Sequence, residues 1–312
     1  MDMEHCAKKL TELRSLMQRE GLDYYYVPLS DQHHNERVPL CYQRLQWLTG
    51  FGGSNGYALI GLEQAYFFTD GRYQFQVKKQ VDTDQFEIAI LGIDCDSVEA
   101  WVLECIQEGK ALGYDPKLLS HQMYLSLVDL GSDQSIQLKP VADNLMDRIW
   151  HDQPALPAKP IVVYPLKFAG QSSEDKINAV RSELSKASCS ATVINDCAEI
   201  AWLLNLRGND IDFTPIFMGY VILTADDVRL FVNASQLSDE VQHHLEQLGV
   251  VVVDYDGYWE ALTHLSGTVW VNPKMLSALE VMQLGDLTLY QRRSSVELMK
   301  ACKNLNKLKF DF

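Results

Sequence analysis

The sequence predicts an α/β protein of two domains, each a mixed sheet flanked by helices. Three observations carry this. Short β-branched and aromatic runs alternate with apolar patterns of helical period along the whole chain. Each half holds a pair of strand-like runs separated by a few turn residues, which puts hairpins into both sheets and argues against a purely parallel barrel. Between the halves, DQPALPAKP carries three prolines in nine residues, the composition of a linker. A length of 312 residues suits two domains of about 150 each. The expected spans are 1–155 and 160–300, with 301–312 outside both.

The elements follow in order. Leu10, Leu13, Leu16 and Met17 have helical spacing, and Gly21 stops that helix. DYYYVPL reads as a strand, followed by a polar loop from Ser30 to Arg37. LCYQRLQWL reads as a helix ending at GFGGSNG, whose four glycines are expected to supply positive φ at several positions. YALIGL and AYFFT form a hairpin around Gly61–Gln64. Asp70-Gly71 marks a turn, and a helix runs from about Arg72 to Val81. EIAIL is a strand, SVEAWVLECIQEG a helix, LGYD a strand and KLLSHQMYLSLVDLG a helix. In the second half SSEDKINAVRSELSKA opens with a capping pattern at Ser172 or Ser173. ATVIN is a strand and DCAEIAWLLNL a helix. MGYVILTA and VRLFVN pair around Ala225–Asp227. QLSDEVQHHLEQLG, GYWEALTHL and KMLSALEVMQ are helices, with VVVVDY and TVWVNP as strands. The halves share a rhythm but no obvious sequence identity, so a duplicated fold is left open.

The formal charge of −15 argues against nucleic acid and anionic membrane surfaces as partners. The seven cysteines are widely spaced, lack a C-x-x-C pair and are odd in number, which suits a reducing compartment rather than a disulfide framework or zinc knuckle. The first residues, MDMEHCAKKLTELRSLMQREG, are charged throughout and lack the apolar stretch of a signal peptide. No window approaches a membrane span. A cytoplasmic location is expected.

The chain contains no H-E-x-x-H, G-x-S-x-G, P-loop or G-x-G-x-x-G motif. GFGGSNG follows a helix and precedes a strand, the wrong order for an anion-cradling helix start. His243 and His244 diverge by about 100° on a helix and do not converge on one ion. SDQHHNE is denser in polar groups and follows a strand, where sites tend to form. Its bland reading is a solvated loop. Arg72 is expected to pair with a carboxylate in the turn Asp70-Gly71-Arg72-Tyr73. In Asn205-Leu206-Arg207-Gly208-Asn209-Asp210, the arginine is expected to bond the last carbonyls of the preceding helix. Arg44, Asp70, Arg72, Tyr73, Asn205, Arg207 and Asp210 are therefore read as structural, and no catalytic or metal-binding residue is assigned.

Several of these segments resemble the aminopeptidase P branch of the creatinase/prolidase family. LCYQRLQWLTGFGGSNGYALI and TDGRYQFQVKKQVD resemble its first domain, and SDQHHNERVP a loop of that domain. DQPALPAKPIVVYPLKFAGQSSEDKINAVRSEL resembles its linker and the first helix of its second domain. AEIAWLLNLRGNDIDFTPIF, TVWVNP and LMKACKN resemble later landmarks, all in the expected order.

The resemblance implies two related creatinase amino-terminal domains without the "pita-bread" catalytic domain, 301–312 being only its truncated start. In the family that third domain binds two divalent metals, usually manganese, through two Asp, one His and two Glu. It removes the first residue of peptides with proline second. On this reading the chain carries no metal site and no cofactor of its own. Its peptide substrate would be met through the missing domain, and its amino-terminal domains would narrow the substrate entrance and support a homodimer. Asp31, His33, His34, Asn35 and Glu36 are the candidates for an entrance element. The alternative is a stand-alone binding module for peptides or proteins. DIDFTPIF departs from the family's pattern, where a proline is favoured after the second Ile-containing dipeptide.

Overall fold

The computed structural model describes residues 3–302. The chain divides into two compact units, Met1–Ala155 and Leu156–Phe312.

The first unit comprises α1 (Met3–Arg19), β1 (Tyr24–Pro28), α2 (Arg44–Thr49), β2 (Tyr57–Gly61), β3 (Ala65–Asp70), α3 (Gln74–Gln80), β4 (Glu87–Leu91), α4 (Val98–Cys105), β5 (Ala111–Tyr114), α5 (His121–Gly131) and β6 (Gln137–Pro140). Its six strands are ordered β4-β3-β2-β1-β5-β6. β2 runs antiparallel to both neighbours, and the other pairs are parallel. Alternation along β1 sends Tyr25 and Val27 to one face. There they join a core with Leu10, Leu13 and Met17 of α1 and Leu45 and Leu48 of α2. On the opposite face the Phe68 ring meets Trp101 of α4 edge to face, 6.5 Å between centroids.

The second unit comprises β7 (Val162–Val163), α6 (Leu166–Ala169), α7 (Ser173–Lys186), β8 (Ala191–Ile194), α8 (Cys197–Leu203), β9 (Leu206–Arg207), β10 (Tyr220–Thr224), β11 (Val228–Phe231), α9 (Asp239–Gln247), β12 (Val250–Val253), α10 (Tyr258–Thr263), β13 (Thr268–Val271), α11 (Ala278–Leu284), β14 (Thr288–Gln291) and α12 (Ser295–Ala301). Its main sheet is ordered β12-β11-β10-β8-β13-β14, beside a small β7-β9 ribbon. β10 is antiparallel to both neighbours and the remaining pairs are parallel. Strand for strand this is the topology of the first unit. The shared rhythm of the two halves is thus one fold used twice.

Three local expectations are corrected. The fifth and eleventh helices begin later than their apolar runs, because an internal serine caps each. Ser120 Oγ accepts from Met123 N, and Ser277 forms a full capping box with Glu280. In GFGGSNG only Gly50 has positive φ, at 80°. Gly53 and Gly56 are needed for space, since a Cβ at either would crowd the Phe51 ring. The edge strands β6 and β14 carry no alternating signal and were not expected.

Candidate functional site

The parallel strands of the first unit end at a switch point. The chain leaves β1 toward β2 on one side and leaves β5 toward β6 on the other, opening a crevice beyond their carboxyl ends. The turn Ser30–Arg37 sits there. Its polar density does not make it a solvated loop, because Asp31, Gln32 and His33 are buried. Asp31 organises it, with Oδ1 accepting from His33 N at 2.9 Å and Asn35 N at 3.1 Å. Oδ2 accepts from Asn35 Nδ2 at 3.0 Å. Burial pushes the Asp31 carboxyl up to about 6 against those bonds. His34 adopts φ 51°, a region His tolerates better than most residues. Burial pulls its imidazole down to about 4, so it is neutral at pH 7. Of the five candidates, Glu36 is exposed, while His34 and Asn35 are half-buried.

Beneath the turn lies a charge cluster. Arg44 enters α2 with its side chain 7% exposed and holds Asp147 through two bonds of 2.7 Å. Its guanidinium also lies 4.9 Å from the Tyr42 ring centroid. Asp115, at the end of β5, is buried and accepts from Asn144 Nδ2 at 2.8 Å. Burial raises its pKa, and the charge of Arg44 is among the opposing influences. Sequence reasoning did not find Asp115, Asn144 or Asp147.

Asp70 accepts from Arg72 Nε at 2.9 Å and Arg72 Nη2 at 2.7 Å, and from Asn55 Nδ2 at 2.7 Å. The Arg72 bonds, before all else, hold the Asp70 carboxyl well below its usual range. Tyr73 Oη lies 2.7 Å from Ser54 Oγ. These contacts lock the GFGGSNG loop to the start of the third helix.

In the second unit, Asn205 takes φ 50° and is buried. Its Oδ1 accepts from Lys176 Nζ at 2.6 Å, and Lys176 also bonds Trp202 O and lies 4.1 Å from the Trp202 ring centroid. Arg207 Nη1 donates to Ala201 O of α8 at 2.9 Å and stacks 4.1 Å from the Tyr164 ring centroid. Asp210 is buried and accepts from Lys159 N, Met218 N and Gln236 Nε2. That closes the DIDFTPIF turn and leaves Phe213 at its tip, 93% exposed.

The second unit's switch point, beyond β8 and β13, holds Glu199 of α8. It is 2% exposed and accepts from Ser294 Oγ, the cap of α12, at 2.5 Å. Burial pushes its carboxyl up to about 7. The unfolded carboxyl ionises near its ordinary value of about 4.3. Below that pH both forms are protonated and the full stability is present. Between the two values only the unfolded chain loses its proton, so stability falls as pH rises, levelling off above pH 7. The expected loss is on the order of 3–4 kcal/mol. Glu199→Gln should flatten the dependence of the second unit's urea midpoint across that window. An unchanged slope would show that Glu199 is already ionised in the folded state.

Among the described residues, no three His, Cys, Asp or Glu side chains come together as a metal site. No described helix is long and apolar enough to cross a membrane.

Two family models, both for the creatinase/prolidase N-terminal domain, match residues 9–148 and 152–306. The chain belongs to the creatinase/prolidase family. Two fungal relatives named as probable Xaa-Pro aminopeptidase P illustrate its closer affinities. The protein of Leptosphaeria maculans is 37% identical over 268 residues, covering 86% of this chain and 43% of that relative. The protein of Botryotinia fuckeliana is 34% identical over 321 residues, covering 98% and 49%. The X-prolyl aminopeptidase of Caenorhabditis elegans, described as a cytosolic enzyme with a di-nuclear active site, superposes with a TM-score of 0.93 at 25% identity. That match covers 97% of this chain and 52% of the worm enzyme. The chain therefore spans about half the length of the relatives it matches.

Proposed function

We propose that this chain serves as the amino-terminal, non-catalytic region of a metal-dependent Xaa-Pro aminopeptidase, which releases the first residue of peptides with proline second. The observation that carries this is the in-order match of both units to relatives of that name about twice the length matched. The described residues do not fit a two-metal centre, since no cluster of metal-ligating side chains forms among them. The divalent ions, manganese by the family resemblance, belong on this reading to the part of the relatives beyond the span matched here. The two units would support that part and the assembly of a homodimer. A cytosolic location is part of the same reading, and the lack of a disulfide among the described residues fits a reducing compartment.

The test is hydrolysis of a short X-Pro peptide by the 312-residue chain with added manganese, beside elemental analysis of the purified protein. No turnover and no stoichiometric metal are expected. Turnover with tightly held metal would overturn the non-catalytic assignment.

A further inference from the structure

The crevice at the first unit's switch point holds a cavity of about 340 Å³, within the size range of small-ligand sites. Pro28, Leu29 and Met123 supply apolar wall, while Tyr57, His34 and Glu99 bring polar groups to it. His34 is the unusual member. Its Nε2 is shielded from solvent and has no hydrogen-bond partner among the described residues. Buried polar atoms are normally satisfied, so an orphan on a cavity-lining residue points to a partner that the described side chains do not supply.

The hydrogen-bond network fixes what that atom offers. Ser30 Oγ donates to Asp31 O at 3.1 Å, so its own lone pair faces His34 Nδ1 at 3.2 Å. With the hydroxyl hydrogen on Asp31 O, the imidazole proton sits on Nδ1 and Nε2 is a bare acceptor. Glu99, in the first turn of α4, adds a carboxylate to the same cavity. Its charge reaches the Tyr57 phenol, which burial first and Glu99 second push upward. An acceptor and a carboxylate beside tyrosine rings select a donor-rich cation. The neighbouring apolar wall suits a short hydrocarbon attached to it.

We propose that this cavity binds a primary ammonium group carried on a short aliphatic chain, as in a free alkylamine or the amino end of a peptide. Nε2 of His34 accepts one ammonium hydrogen, Glu99 neutralises the charge, and the chain lies against Leu29 and Met123. This does not rest on the aminopeptidase reading, because the site is built from the first unit alone.

The test titrates the isotope-labelled full chain with n-butylammonium, with a trialanine amide, and with butyrate, followed by amide NMR shifts. Saturable shifts confined to the Leu29–His34 and Glu99–Met123 segments are expected with the amines, at a Kd of about 1 mM for so small a ligand. Glu99→Gln and His34→Asn should each weaken binding at least about tenfold, the worth of one charge-assisted bond, with unchanged melting temperature. Asparagine tolerates the positive φ of this position. Tighter binding of the peptide amide would name a peptide's amino end as the ligand, and tighter binding of butylammonium a free amine. Absence of saturation, equal binding of butyrate, or unchanged affinity in both variants would overturn the proposal.

Discussion

Arg44→Met should destabilise the first unit by about 3–4 kcal/mol, the range for removing one partner of a buried ion pair. The Arg44 side chain is 7% exposed and its guanidinium is bonded to both oxygens of Asp147. Asp31 and Asp115 also feel its charge, which pulls their carboxyls down against burial. Without it the three carboxylates lose the cation they share, two of them are buried, and Lys117 is left acting on Asp115. Asp147 is 36% exposed and regains water, which keeps the cost at the lower end of what buried pairs show. Arg44→Lys should recover only part of the loss, because an ammonium cannot make the two parallel bonds. Urea unfolding followed through the stacked Trp47–Trp150 pair, 5.4 Å between centroids, reports on this unit. A cost below about 1 kcal/mol, the value of an exposed pair, would show that the cluster is hydrated and not structural.

The Arg44 cluster also marks how far the sequence reaches. Arg44 and Asp147 lie 103 residues apart, and neither neighbourhood announces the other. The strand alternation that separates Tyr25 from Tyr26 is local and could be read directly. So could the Asp70–Arg72 turn and the reach of Arg207 to Ala201, because each partner lies within a few residues. The turn Ser30–Arg37 was visible as polar density, but its burial was not. Burial there depends on what packs above it, and a run of polar residues has no intrinsic side. Glu199 could have been found, as the charged residue inside the otherwise apolar run CAEIAWLLNL. The edge strands β6 and β14 were illegible for a plain reason. Their residues are half-exposed or exposed, so neither face carries the apolar alternation that marks a strand.

The duplicated topology gives that contrast a physical sense. At equivalent switch points the first unit buries Asp31 and the second Glu199, each with its carboxyl raised by desolvation. The surroundings differ. Asp31 is held by its own turn, whereas Glu199 is held by Ser294, 95 residues downstream. One fold thus uses the same crevice once for a self-contained turn and once to fasten a later helix.

Asp210→Ala should cost the second unit about 3 kcal/mol, the upper end for hydrogen bonds to a charged group. This carboxylate is 5% exposed and serves three segments at once. Met218 N donates to Oδ2 at 2.9 Å, Lys159 N donates to Oδ1 at 3.1 Å, and Gln236 Nε2 reaches both oxygens at 3.0 Å. Alanine removes every one of these acceptors from a turn that is already tight at Gly208. Gly208 has no room for adjustment, since even a Cβ there would lie 2.8 Å from Ile216 O. Asp210→Asn keeps the volume but turns one oxygen into a donor facing donors, so it should recover less than half of the loss. The measurement is the urea midpoint of the second unit, read beside amide exchange at Met218. Rapid exchange there with an unchanged midpoint would mean that the turn opens alone. Slow exchange in the alanine variant would show that the carboxylate does not hold the turn.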